Sequence, residues 1–124
     1  MELNPEIDLN IDINDLTTEF RGFPILMYRY SVHRAKVEAH RDILKAKLKE
    51  TRAVAFKRIK ADTSVKHTEK SLEAEIDTDP DVKKALIAYI QGEHDATSWA
   101  GAVDSMRSKK DCLIQLGSDR RKEM

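Results

Sequence analysis

Residues 52–60 read "RAVAFKRIK", which crowds Arg52, Lys57, Arg58 and Lys60 around Val54, Phe56 and Ile59 with no acidic residue between them. On a helix, Lys49, Arg52, Phe56 and Lys60 share a face at steps of three and four. Lys45 lies one turn before Lys49, and Lys57 and Arg58 flank the row. Cationic groups spaced about 5–6 Å apart match the phosphate repeat of a single nucleic-acid strand. Each phosphate they neutralise releases counterions, which gives affinity without reading base sequence. Phe56 offers a ring for base stacking, although phenylalanine at helical spacing also suits a core. The candidate nucleic-acid-binding set is therefore Lys45, Lys49, Arg52, Phe56, Lys57, Arg58 and Lys60.

Other chemistry finds no constellation. His33 and His40 are seven apart on nearly one helix face, which separates them by about 10 Å along the axis, too far for one metal ion. Glu93, His94 and Asp95 are consecutive, so their side chains diverge on a helix. Cys112 is the single cysteine. It follows Lys109 and Lys110, which favour a thiolate, yet its apolar neighbours suit a small buried residue better. No GxxxxGK[ST], GxSxG or HExxH occurs. The expectation is a protein that is not an enzyme and needs no cofactor and no metal.

Charge is balanced overall, with 22 basic and 22 acidic residues, but it is segregated. Residues 1–20 hold six acids and no base, whereas 29–60 hold eleven bases against three acids, a local excess of eight. Residues 62–106 turn acidic again, with ten acids against four bases, and 107–122 return six bases against two acids. A polyanion responds to the local field rather than to the net charge. The competing explanation is internal: the basic stretch 29–60 docks on the acidic stretch 62–106. No apolar run approaches the roughly 20 residues of a membrane span, and "MELNPEIDLN" lacks a secretory signal. With one cysteine, no internal disulfide forms, so a cytoplasmic location is expected.

The elements that carry the basic row read as helices. Charged residues make up 35% of the 124 residues and aromatics only 6%, a profile of long solvated helices. A first long helix is predicted from about Gly22 to Ala61, with Pro24 in its first turn. Tyr30, Val37, Leu44 and Leu48 form one apolar stripe, and Ala35, Ala39, Ile43 and Ala46 a second. A connection over 61–67 leads to a short helix capped by Thr68, with Leu72 and Ile76 inward. In "DTDPDV", Asp79 caps a second long helix, Pro80 takes its first position, and Asp81 favours the positive end of the dipole. Val82, Leu86, Tyr89, Ala96, Ala100 and Val103 recur along it, Trp99, Met106 and Leu113 extend an adjacent face, and Gly117 is the expected stop. Gly92 and Gly101 permit either close helix approach or bending.

The fold expected is all-α: a long antiparallel helical hairpin over 21–124 with a short connecting helix, preceded by an acidic segment at 1–20 that is extended or β-like. Ile7, Leu9, Ile11 and Ile13 alternate with polar residues, the pattern of a half-buried strand or of a tail lying along the hairpin. A single hairpin leaves apolar surface over, so a homo-oligomer is expected.

Two segments carry a family likeness. "EKSLEAEIDTDPDVKKA" and the later "GAVDSMRSKKDCLIQLGSDRR" resemble phage recombination mediators of the UvsY type, and the resemblance spans roughly 25–121. It implies a helical protomer that assembles into a ring, hexameric or heptameric, in the host-cell cytoplasm. It further implies binding of single-stranded DNA and help for a RecA-like recombinase in displacing single-strand binding protein. In that family a Lys-x-Arg pattern late in the first long helix contacts DNA. Here Lys57 matches the lysine, while the arginine stands one place on at Arg58, with Lys60 beyond. That departure keeps the charge and rotates it by about 100°.

The alternative function is a helical protein–protein interaction module, a phage inhibitor or assembly factor. It would use its acidic amino-terminal segment to pair with a partner's sheet edge.

Overall fold

The computed structural model describes residues 2–62 and 66–123, which form four helices: α1 (Pro5–Asp8), α2 (Leu16–Ala61), α3 (Glu69–Thr78) and α4 (Pro80–Glu123). Two long helices and one short one between them are thus as expected, and no strand occurs among the described residues. Of the connection predicted over 61–67, residues 63–65 lie outside the described residues.

α2 starts six residues before Gly22 because a better cap lies upstream. The Asp15 carboxylate accepts the Thr18 backbone N–H at 3.3 Å and the Thr18 hydroxyl at 2.7 Å. Those two bonds hold the Asp15 carboxyl below its ordinary range. Pro24, placed in the first turn by the sequence, is instead inside the helix. Its ring leaves the Phe20 carbonyl without an amide donor, a local cost that an exposed position tolerates because water reaches it.

The chain packs as two compact units, the first built from residues up to Lys36 and from Thr97 on, the second from Val37–Ala96. In the first, the helices run antiparallel: Phe20 meets Gly117, and His33 meets Trp99. Tyr30, Val103 and Met106 are fully buried, with Phe23, Leu26, Met27 and Trp99 packed around them. Gly117 does not end the helix, which continues to Glu123. A Cβ at position 117 would lie 3.1 Å from the Phe20 ring, so this glycine serves close packing rather than termination.

The acidic segment belongs to this first unit. Pro5 opens the single turn α1, and the Asn4 carbonyl accepts the Asp8 N–H at 2.8 Å. Leu3 packs on the Tyr30 cluster. Of the alternating residues 7–13 of this strap, Leu9 packs on the same cluster, while Ile7 and Ile13 are exposed.

In the second unit α3 packs on the later part of α2 and the start of α4, burying Ala55, Ile76 and Val82 with Leu48, Ile59 and Leu72 beside them. The Thr68 hydroxyl caps α3 by accepting the Ser71 N–H at 3.2 Å. Asp79 closes α3 and accepts the Asp81 and Val82 N–H groups at 2.9 and 3.3 Å, which opens α4 as predicted. Gly92 is buried where α2 and α4 pack closely: a Cβ there would meet Leu44 Cδ1 at 2.7 Å and the Arg41 Cα at 3.5 Å. Small residues at this seam shift the inward stripe of α4 from Leu86, which is exposed, to Ala85. The second stripe proposed for α2 is also outward, with Ile43 65% exposed.

Gly101 is mid-helix and exposed, and nothing stands within 4 Å of a Cβ added there. Gly101→Ala is expected to stabilise the fold by about 1 kcal/mol through helix propensity, measured as a higher urea midpoint at unchanged m-value.

Candidate nucleic-acid interface

All seven residues proposed from the sequence lie on the last five turns of α2, within the second unit. At about 100° per residue, Lys45, Lys49, Arg52, Phe56 and Lys60 fall in one sector roughly 80° wide, and Lys57 lies some 60° beyond it. The buried stripe of the same helix, Leu44, Leu48, Ala55 and Ile59, is centred about 90° from that sector. The lysines therefore point to solvent because the core residues are satisfied elsewhere. Lys45, Lys49 and Lys57 are exposed and have no ion pair among the described residues. Phe56 is 39% exposed, and the Lys60 ammonium lies 5.3 Å from its ring centroid. That cation–π contact holds an aromatic face and a charge together at the surface.

The two arginines behave differently. Arg52 and Arg58 sit at opposite margins of the buried stripe, which brings each within reach of a carboxylate on a neighbouring element. Arg52 Nη1 donates to Asp77 Oδ1 at 2.7 Å, and Arg58 Nη2 pairs with Asp79 Oδ2. The internal explanation of the charge blocks thus holds for these two arginines, while Lys45, Lys49 and Lys57 remain open.

One buried cation was missed by sequence reasoning. Lys109 is 5% exposed; its ammonium donates to the Asp8 and Asn10 carbonyls at 2.6 and 3.0 Å and pairs with Glu19 at 3.0 Å. Its position was legible: it stands three after Met106 and four before Leu113, on the buried stripe of α4. Arg120 also donates to the Ile13 carbonyl at 2.9 Å, and the Tyr30 hydroxyl donates to Asp8 at 2.7 Å. Lys109 and Arg120 thus hold the strap by its backbone, and Tyr30 holds it by the Asp8 side chain.

Burial, and then the bond to Asp8, push the Tyr30 phenol well above the ordinary tyrosine value of 10.0. A folded-state value above the unfolded one contributes stability that is complete below about pH 10 and is lost as pH rises through the folded value. Titrating tyrosinate absorbance should show one of the three tyrosines ionising last, together with loss of the folded far-ultraviolet signal. Early ionisation of all three in a folded chain would contradict this.

The histidines and cysteine assemble nothing. His33 packs edge-on to Trp99 with centroids 4.2 Å apart, and His40 and His94 are exposed. No group of three metal-ligating side chains occurs among the described residues. Cys112 is exposed, not buried as its apolar neighbours suggested, because the inward stripe runs through Lys109 and Leu113. No helix among the described residues is long and apolar enough to cross a membrane. Comparison with known proteins finds no matching family model, no matching curated protein and no matching solved structure.

Proposed function

We propose that this chain is a recombination mediator of the UvsY type, which binds single-stranded DNA without sequence preference and helps load a RecA-like recombinase in place of single-strand binding protein. The observation that carries this reading is the solvent-facing row Lys45, Lys49, Lys57 and Lys60 around Phe56, whose first three lysines have no carboxylate partner among the described residues. A row of this kind follows a flexible phosphate backbone, and an exposed ring beside it stacks on a base. The resemblance of 69–85 and 101–121 to that family supports the same assignment. The work is an exchange of binding contacts and needs no bond cleavage.

Assembly into a homo-oligomer in the host cytoplasm is part of the proposal. Ile43, Val54, Leu86, Ile87 and Ile90 leave the second unit with exposed apolar surface that further copies of the chain would cover. Repetition of the basic row then multiplies a weak contact by avidity. The interaction-module reading is less well supported, since the Asp8, Asn10 and Ile13 carbonyls, which an edge-pairing partner needs, are already held by Lys109 and Arg120.

The test is recombinase loading. A RecA-like ATPase on single-stranded DNA precoated with single-strand binding protein should lose its lag when the full chain is added. A lag that persists at saturating protein, on DNA the protein does bind, would contradict mediator action.

A further inference from the structure

The basic row contains two populations of cations, and the difference between them has a use. Lysines at 45, 49 and 57 are open, whereas both arginines are already paired with oxyanions supplied by the chain itself. Arginine is the stronger phosphate ligand, because its planar fork makes two parallel hydrogen bonds where lysine offers a point charge.

We infer that Asp77 and Asp79 act as built-in phosphate surrogates: they occupy Arg52 and Arg58, keep both off the DNA, and so limit the protein to lysine contacts. The inference rests on the DNA-binding reading and concerns the regulation of that same site.

Each mask has a reason to persist when DNA arrives. Asp77 lies in the last turn of α3, where the helix dipole disfavours a carboxylate and no basic residue of that turn offsets it. Arg52 supplies that counter-charge. Asp79 is 7% exposed, and its other oxygen caps α4 through the Asp81 and Val82 N–H groups. Pulling Arg58 away would leave a buried carboxylate without its cation. Both pairs therefore resist exchange for a solvated phosphate. The consequence is a DNA contact made of exposed ammonium groups, which is weak and readily surrendered. A protein that must pass its strand to a recombinase benefits from that weakness.

The experiment is oligothymidine anisotropy across a salt series, with the full chain and four variants. Asp77→Asn frees Arg52, so the log–log slope should steepen by about 0.7 and affinity near 0.1 M salt should rise about fivefold. Asp79→Asn should do the same for Arg58, and asparagine is chosen because it keeps the helix cap. Arg52→Gln alone should leave the slope unchanged, since a masked arginine contributes no phosphate contact. Glu73→Gln removes an exposed α3 carboxylate and sets the effect of net charge alone. A slope that falls by about 0.7 in Arg52→Gln means the arginine is already on the DNA and overturns the inference. So does an Asp77→Asn slope no steeper than that of Glu73→Gln. Should Asp79→Asn unfold, Asp77→Asn, with its carboxylate 60% exposed, still decides the matter. No binding by any of the five proteins overturns the DNA-binding reading itself, a different result from binding that is equal in all.

Discussion

Replacing Lys49, Lys57 and Lys60 together by alanine is expected to weaken oligothymidine binding near 0.1 M salt by about a hundredfold and to flatten the log–log slope by about 2. The magnitude follows from three lost phosphate contacts at about 0.7 each on a single strand. Stability should barely change, because Lys49 and Lys57 have no ion pair among the described residues and alanine is at least as good a helix former. Lys60 gives up only its contact with Phe56. Anisotropy reports the first effect and thermal unfolding the second. A folded triple variant with unaltered slope would remove the row from the binding site.

The second large effect belongs to Lys109. Lys109→Met keeps the aliphatic stem but deletes an ammonium that serves two carbonyls and the Glu19 carboxylate, itself 20% exposed. Orphaned polar groups at that depth cost about 2–4 kcal/mol, which corresponds to roughly 10 °C in melting temperature for a chain of this length. Release of the strap should also make residues 2–14 the first site of limited proteolysis. A variant as stable and as protease-resistant as the parent would show that the strap docks through Leu3 and Leu9 alone.

Local signals carried most of the helix boundaries. Thr68 and Asp79 act as caps because their short polar side chains reach backbone N–H groups two or three residues on, and that geometry depends only on near neighbours. The features that escaped the sequence depend on what packs opposite. Gly117 reads as a terminator in isolation, yet the helix runs on past it, and the Phe20 ring across the pair packs 3.1 Å from where a Cβ would stand. Ala85 rather than Leu86 faces inward because Gly92 and Ala96 let the helices approach closely. Pro24 suits a first turn, but Asp15, with Thr18 three places on, caps the helix further upstream.

The candidate site was legible to the same degree. Spacing along one helix placed Lys45, Lys49, Phe56 and Lys60 on one face, since that periodicity is fixed by helix geometry alone. It did not reveal that Arg52 and Arg58 are engaged, because their partners Asp77 and Asp79 are brought close by α3 folding back, a tertiary event. Lys109 escaped for a related reason. A lysine on an apolar stripe is ordinarily read as a solvated interruption, and only the returning strap supplies the carbonyls that bury it.

The most direct measurement is the affinity of the intact protein for oligothymidine as a function of salt. Four lysines facing one strand give a linear log–log decline of between about 2 and 3 per bound protomer. Binding that ignores salt, or no binding at low salt by a folded chain, would contradict an electrostatic track on α2.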